Sequence, residues 1–468
     1  MEKKTQVIEP YQLHYSDLIS LSSSSSPSSS TEIRRLESVT RSILDALGPA
    51  GPGLLTITGV PNAAENRDSL LPLARDLSLL PHLHRKRILK DHGLGSDVPL
   101  KNLDRCVSSF AMQLKYGHDV DSGKLSHLIS YKSLDKDNTN LSYLSFEGLD
   151  KHNLVGENFD ACEYNKSMDD HFKDLGHNFR NLGLCMMDLG LRVARICDRV
   201  IGGKELENSL LESRTAKGRL IHYHSSLDTY IIKEVGQRKG SKKSQQKSKN
   251  MSCRIGEMHR DGDDGRGCEK SSDLWQQWHY DYGTFTVLTS PMYIRPTCCK
   301  IERGDDVCAN SGGLECLSQS ENTYLQIFYP KRNNVCTIKA PPESFILQVG
   351  ESADILSRKK LQATLHSVSR PVELESLSRE TFVVFLHPAW NKVFDISDYP
   401  LEHLTLNNQS EKYGERPQSN EELNNLTHGI NKIIPPLSAR LKDGMTFAEF
   451  SRETTKQYYG GNGLQSNR

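Results

Sequence analysis

The most informative segment of the chain reads Trp278-His279-Tyr280-Asp281-Tyr282-Gly283-Thr284-Phe285-Thr286-Val287-Leu288. Its second half is aromatic and β-branched, which is typical of a buried strand. Residues two apart on a strand point to the same side. The spacing of His279 and Asp281 is therefore expected to direct an imidazole and a carboxylate the same way, at the mouth of the strand.

The His-x-Asp spacing carries little information without its context. With 17 histidines and 59 acidic residues among 468 positions, chance gives about two His-x-Asp/Glu pairs, and the chain has two. His259 and Asp261 lie in a polar, glycine-rich stretch, where no strand would fix their direction. His279 and Asp281 lie between two tryptophans and the apolar run, so this pair is the candidate for metal binding.

A second histidine from another strand would complete a metal site. His366 lies in the strand-like run Leu365–Val368. Two histidines and one carboxylate occupy one face of an octahedral ion and leave three positions open, which suits Fe(II) and oxygen chemistry. A lone strand histidine is more often hydrogen-bonded and structural, and this alternative stays open for His366.

Arg379 and Thr381 precede another apolar run, Phe382–Leu386, and share one face by the same two-residue period. An inward-pointing arginine is costly to bury unless it meets an anion. The pair therefore predicts an anion site. The alternative is a solvated arginine at the entrance of the strand.

The order of these motifs resembles that of the 2-oxoglutarate/Fe(II)-dependent oxygenase superfamily, and most closely its plant group that includes flavonoid and hormone oxygenases. The motifs follow one another as Trp278–Leu288, Gly312–Glu315, Ile346–Glu351, Leu365–Val368 and Arg379–Phe382. The region 32–61 also resembles the amino-terminal part of that group. The resemblance covers most of 32–390, is weak over 62–165 and is absent from an insert at 236–273.

The resemblance implies an α+β protein with a double-stranded β-helix, or jelly roll, braced by N-terminal and long central helices. It implies that His279, Asp281 and His366 are the catalytic iron ligands and that Arg379 and Thr381 hold the far carboxylate of 2-oxoglutarate. It further implies a dioxygenase that hydroxylates or otherwise oxidises a small organic substrate with O2, releasing succinate and CO2. Ascorbate is expected to support the activity.

The segment Arg219–His224 departs from the family pattern. Members often carry Asn-x-Tyr near the 2-oxoglutarate, and here His222 and His224 occupy those positions. Either a different set of hydrogen bonds holds the co-substrate, or Tyr223 takes a shifted role and contacts it.

Four cysteines raise the separate question of a zinc site. Their spacing matches none of the paired C-x2-C forms, so zinc is disfavoured but not decided. They are Cys298, Cys299, Cys308 and Cys316.

The chain as a whole is expected to divide into four regions: a flexible serine-rich N-terminus (1–31), a mostly helical region (32–217), the jelly-roll core (218–390) with a disordered insert (236–273), and a tail with a helix (391–468). The apolar periodicity predicts helices over 32–47, near 68–90 and over 169–200. Strands are predicted at 54–58, 219–224, 229–232, 284–290, 324–328, 337–340, 344–349, 364–368 and 381–386.

Composition narrows the class of protein. Equal numbers of basic and acidic residues, 59 each, argue against a chain built to coat nucleic acid. The sequence shows neither a long apolar run nor an export signal, and eleven cysteines then indicate reduced thiols. We therefore expect a cytoplasmic enzyme with a small-molecule substrate and no membrane partner. The mean hydropathy of −0.57 indicates much polar chain outside the core.

Alternatives remain. The basic run 238–249 would suit a nuclear-import signal, or an oxygenase that acts on protein or nucleic acid. A relative that keeps the fold and binds a ligand without catalysis is a further alternative. The sequence does not indicate the oligomeric state.

Overall fold

A computed structural model describes residues 6–23, 29–96, 98–103, 105–116, 168–237, 274–295, 314–315, 322–332, 334–370, 376–400 and 434–459. The motif Gly312-Gly313, the pair His259/Asp261 and the basic run 238–249 lie outside these residues. So do the four cysteines considered as zinc ligands. Residues 24–28 of the serine tract, most of the stretch 115–168 and most of the insert 236–273 also lie outside them.

Helices dominate the first half of the chain. They are α1 (Tyr15–Ser22), α2 (Ser30–Leu47), α3 (Ala63–Leu70), α4 (Pro72–Leu79), α5 (His82–Asp91), α6 (Leu175–Ile201), α7 (Glu205–Ser213), α8 (Ser226–Gln237), α9 (Glu351–Leu356), α10 (Leu437–Arg440) and α11 (Phe447–Tyr459). The predicted helices at 32–47 and 169–200 are confirmed, although α6 begins later, at Leu175. Ser29 caps α2 by accepting a hydrogen bond from Glu32 N, and Gly202 ends α6 at φ +81°.

The strands fall mostly in the second half of the chain. They are β1 (Gln6–Ile8), β2 (Gln12–His14), β3 (Leu54–Thr58), β4 (Gly95–Ser96), β5 (Val107–Lys115), β6 (Thr215–Tyr223), β7 (Leu274–His279), β8 (Phe285–Thr289), β9 (Met292–Arg295), β10 (Leu314–Glu315), β11 (Asn322–Tyr329), β12 (Asn334–Lys339), β13 (Phe345–Val349), β14 (His366–Ser369) and β15 (Ser378–Leu386).

Two sheets face each other across an apolar interior. One has the order β1-β12-β11-β14-β7, and the other runs β2-β3-β13-β8-β15-β6-β5-β4. Side chains from both sheets meet between them, among them Ile221, Trp275, Leu325 and Val383. The α+β architecture is as expected.

The helices cover the outer face of the larger sheet. Alternate residues of its strands, such as Phe382, point away from the interior and pack on α6. The rings of Phe179 on α6 and Phe382 lie edge to face, with centroids 4.7 Å apart. Each strand of this sheet therefore presents one face to the helices and the other to the interior between the sheets. This alternation decides which side chains can reach a ligand there.

The predicted strand at 229–232 is wrong, because this segment belongs to α8. Ser225 Oγ accepts a hydrogen bond from Asp228 N (3.1 Å), and the Asp228 carboxylate accepts from Ser225 N (3.1 Å). This reciprocal cap satisfies two amide groups at the start of the helix. The cap and the burial of Ile232 outweigh the β-branched composition that favoured a strand.

The C-terminal helix α11, the helix expected in the tail, packs over one end of the sheets. Phe447 and Phe450 are fully buried against Phe394. In the part of the chain that the structure describes, no helix is both long and apolar enough to span a bilayer.

Candidate metal centre

The structure brings the three predicted ligands together. His279 is the last residue of β7 and His366 the first of β14, and the two are paired directly across the sheet. Their Nε2 atoms lie 3.7 Å and 3.8 Å from the two oxygens of Asp281. The donor atoms of this group all lie within 4.8 Å of one another, close enough for one ion.

Asp281 reaches this position from a loop. Strand β7 ends at His279, so the two-residue strand period does not orient the carboxylate, and that part of the reasoning is wrong. Thr286 Oγ1 on β8 donates a hydrogen bond to Asp281 Oδ2 (2.6 Å) and fixes the carboxylate. The Asp281 carbonyl accepts from Glu351 N at the start of α9 (2.8 Å). The direction of the carboxylate therefore comes from tertiary contacts.

Hydrogen bonds at the far side of each imidazole fix its tautomer. His279 Nδ1 lies 2.7 Å from the Gln277 carbonyl, and His366 Nδ1 lies 3.0 Å from the Thr364 carbonyl. A carbonyl only accepts, so each Nδ1 carries the proton and each Nε2 offers a lone pair to the centre. Burial, followed by the neighbouring His366, lowers the pKa of His279 and favours the neutral form that a metal requires.

Arg379 is buried between the sheets, with 3 % of its surface exposed. Its Nε donates to the Thr323 carbonyl (3.1 Å), its guanidinium lies 5.1 Å from the centroid of the Tyr223 ring, and it also hydrogen-bonds the Tyr293 side chain. Among the described residues no carboxylate forms an ion pair with it. A buried cation that meets only neutral groups is costly unless a ligand supplies the counter-charge.

Tyr223 connects Arg379 to the metal donors. The two residues are direct cross-strand neighbours on β6 and β15. The Tyr223 hydroxyl donates to Gln276 Oε1 (2.8 Å), and the Gln276 amide donates to His279 Nε2 (3.0 Å). Burial raises the pKa of Tyr223, so the phenol stays protonated and can donate. Thr381 is also buried, with its hydroxyl 3.4 Å from the Thr289 carbonyl.

His222 and His224 lie on the other side of the strand from Tyr223. His222 Nδ1 contacts Glu380 Oε2 (2.8 Å), and His224 Nε2 contacts Ser108 Oγ (2.9 Å). Of the two sequence-based alternatives for this segment, the geometry favours the one that gives Tyr223 a role. Neither histidine joins the metal group.

Sequence reasoning missed Gln276 and Thr286. The signal for Thr286 was present, because a hydroxyl in an apolar run stands five residues after Asp281. No comparable signal marks Gln276, whose contact with Tyr223 depends on how β7 of one sheet faces β6 of the other.

Comparisons with known proteins return structures but no sequence relatives. No protein-family model matches the chain, and no curated protein matches it. The chain is similar to a full-length Neurospora crassa protein solved in complex with alpha-KG and 5-formyluracil. The identity is 13% and the TM-score 0.45, over 92% of this chain and 99% of that chain.

Two further solved structures are similar to this chain. JOX2 in complex with 2OG, Fe and JA gives 13% identity and a TM-score of 0.43, over 96% of this chain and 86% of that one. The rice dioxygenase for auxin oxidation gives 13% and 0.42, over 84% and 90%. At these values the likeness does not decide function, which has to be argued from the side chains of this chain.

Proposed function

We propose that this chain is a 2-oxoglutarate- and Fe(II)-dependent dioxygenase that oxidises a small organic substrate. One observation carries the proposal. Two imidazole lone pairs and one carboxylate converge within 4.8 Å, beside a buried arginine that pairs with no carboxylate among the described residues. The first feature suits a metal ion and the second an anionic ligand. The histidines belong to the smaller sheet and Arg379 to the larger one, and both features border the interior between the sheets.

The donor set fits Fe(II). His279, Asp281 and His366 would hold the ion through two neutral nitrogens and one oxygen, which leaves coordination positions for other ligands. Bound Fe(II) would supply the activation of O2, coupled to conversion of 2-oxoglutarate to succinate and CO2 and to oxidation of the substrate. The backbone carbonyls behind both imidazoles and the Thr286 hydroxyl behind Asp281 keep the donors aimed at one point.

Arg379 would hold the far carboxylate of 2-oxoglutarate, with Tyr223 and Thr381 as hydroxyl donors beside it. A guanidinium offers two parallel N–H bonds that match a carboxylate. Because Arg379, Tyr223 and Thr381 are each at most 3 % exposed, water competes poorly for these bonds. A metal bound at His279 Nε2 would take the lone pair that now accepts from the Gln276 amide, which would free Gln276 and the Tyr223 hydroxyl for other partners.

The strand order supports a jelly roll. From β6 onward the chain crosses repeatedly between the sheets, so that β6, β15, β8 and β13 are neighbours in one and β7, β14, β11 and β12 in the other. We assign residues 218–390 to this core, with 32–217 packed on it. Ascorbate support and a cytoplasmic location remain predictions.

Two other functions carry less support. An oxygenase of protein or nucleic acid was suggested by the basic run 238–249, which lies outside the described residues. A relative that binds without catalysis would not need all of the donors and the buried arginine.

The test uses the purified full chain with Fe(II), 2-oxoglutarate and ascorbate. Succinate should form, faster with a true substrate, and His279→Ala should abolish its formation. The matched control is His177→Ala, a surface position on α6 whose ring contacts Asn181. Fe(II) and 2-oxoglutarate that fail to bind together would refute the proposal.

A further inference from the structure

The side chain of Gln276 bridges the two sheets between the metal donors and the buried arginine. Gln276 lies on β7 of the smaller sheet, three residues before His279, and it reaches across the interior to Tyr223 on β6 of the larger sheet. Its Oε1 lies 2.8 Å from the Tyr223 hydroxyl and its Nε2 lies 3.0 Å from His279 Nε2. Because Arg379 is the cross-strand neighbour of Tyr223, this row of side chains runs from the proposed anion site to the proposed metal.

The neighbours of the Gln276 amide decide which way it is turned. His279 Nδ1 donates its proton to the Gln277 carbonyl, so His279 Nε2 can only accept and has to meet the amide nitrogen. The protonated Tyr223 phenol donates, so it has to meet the amide oxygen. The nitrogen of Gln276 is therefore directed at the metal end of the row, and its oxygen at the arginine end.

A metal ion and the Gln276 amide compete for one lone pair. An imidazole nitrogen has a single lone pair, so it cannot accept a hydrogen bond and bind an ion at the same time. A metal on His279 Nε2 would therefore displace the amide nitrogen and deprive it of its acceptor. Because Gln276 is partly buried, the displaced N–H groups would need another acceptor close by.

2-Oxoglutarate would supply the acceptor that the displaced amide needs. Its carboxylate and keto oxygens all accept hydrogen bonds at neutral pH. A molecule held at Arg379 by its far carboxylate, with its other end on the metal, would lie along the row of Tyr223 and Gln276. A hydrogen bond from an amide to a carboxylate is charge-assisted and therefore stronger than one between neutral groups.

We propose that Gln276 binds the co-substrate by exchanging partners: its amide nitrogen leaves His279 Nε2 to the metal and donates to 2-oxoglutarate. The inference rests on the proposed function, because it concerns the same metal and the same co-substrate. The exchange couples the two ligands, since 2-oxoglutarate gains this donor only after the metal has taken the imidazole. Removing the amide should therefore change the two affinities in opposite directions.

The test compares Gln276→Met with the wild-type full chain by calorimetric titration. Methionine has a similar length but no N–H group, so it removes the donor and still fills the space. Without the competing amide, Mn(II) should bind about three- to tenfold tighter, as loss of one hydrogen bond from His279 implies. 2-Oxoglutarate should bind the Mn(II)-loaded variant about ten- to a hundredfold more weakly, as loss of a hydrogen bond to a charged group implies.

Gln326→Met is the matched control. Gln326 is also partly buried and lies on β11 of the same sheet, where it accepts a hydrogen bond from Ser367 Oγ (3.3 Å). Its neighbours Leu325 and Ile327 face the interior between the sheets, so Gln326 faces away from it. This variant should change neither affinity.

Gln276→Glu is a second test, because it keeps the length of the side chain and replaces the amide donor with a carboxylate. It should weaken 2-oxoglutarate binding at least as much as Gln276→Met. Affinities for Mn(II) and 2-oxoglutarate that fall together in Gln276→Met would indicate a structural role and overturn the proposal. So would an unchanged affinity for either ligand. A Mn(II)-loaded wild-type protein that fails to bind 2-oxoglutarate would instead refute the proposed function.

Discussion

Replacing Arg379 with alanine separates co-substrate binding from metal binding. The Arg379 guanidinium is 3 % exposed, and among the described residues it contacts only neutral groups. The carboxylate of a bound ligand would therefore be its counter-charge. Truncating one partner of such a buried pair costs about 2–5 kcal/mol. Because Tyr223 and Thr381 would keep their hydroxyl bonds, we expect the lower part of that range, about 2–4 kcal/mol, or about 30- to 1,000-fold weaker 2-oxoglutarate binding.

The assay is calorimetric titration of 2-oxoglutarate into the Mn(II)-loaded variant, with Mn(II) affinity measured separately. The metal affinity should change little, since no metal donor contacts Arg379 directly. Arg85→Gln is the matched control, because Arg85 is 6 % exposed and also donates to backbone carbonyls, those of Ser78 and Leu80, on the helical side. It should lose stability but keep its affinity for 2-oxoglutarate. An Arg379→Ala protein with unchanged 2-oxoglutarate affinity would refute the role of this arginine.

Three further variants test the supports of the site. Thr286→Val should lower metal affinity by about 10- to 100-fold, by loss of the bond that orients Asp281, while Thr286→Ser should retain it; equal metal affinities in titration would contradict this. Arg440→Leu should lower the free energy of unfolding, measured in urea, by about 3–5 kcal/mol, because the buried Glu351 carboxylate (4 % exposed) would lose its bidentate partner. An unchanged urea midpoint would contradict this prediction. The pKa of His387 is about 4 in the folded protein and 6.5 in the unfolded chain, so the unfolded state binds more protons between these pH values. The free energy of unfolding should therefore fall by about 3 kcal/mol as the pH drops from 6.5 to 4. His387→Gln should flatten that decline, and an unaltered pH profile would show that the imidazole does not titrate as described.

The sequence predicted most elements that depend on local pattern. The apolar period of α6 and the alternation in β6, β8 and β15 each reflect a single buried face, and that face can be read from spacing. The strand predicted at 229–232 is wrong because another local signal, a helix cap, was overlooked. The Ser225–Asp228 cap there stabilises a helix, although β-branched residues favour a strand.

The proposed metal ligands illustrate the limit of sequence reasoning at the site. Histidines 279 and 366 could be chosen from their flanking strands, but their direct pairing across β7 and β14 is a matter of register. The two-residue strand period predicts that Asp281 points the same way as His279, but β7 ends at His279 and the period does not reach Asp281. The contacts that hold it come from Thr286, beyond the loop that follows Asp281, and from the start of α9, about 70 residues further along the chain.

The direction in which Lys217 and Arg219 of β6 point could not be predicted from the sequence. Alternation shows that they share a face, but only the packing of Gly218 on Phe179 shows which face it is. A shift by one residue would have pointed both cations at the helices.

The most direct test of the central claim is anaerobic absorption spectroscopy of the full chain titrated with Fe(II) and 2-oxoglutarate. Chelation of Fe(II) by the 2-keto acid produces a visible charge-transfer band that neither component gives alone. We predict a band that saturates at equimolar iron, co-substrate and protein, and that is lost in both His279→Ala and His366→Ala. A wild-type protein without the band, or a band that persists in both variants, would contradict the account.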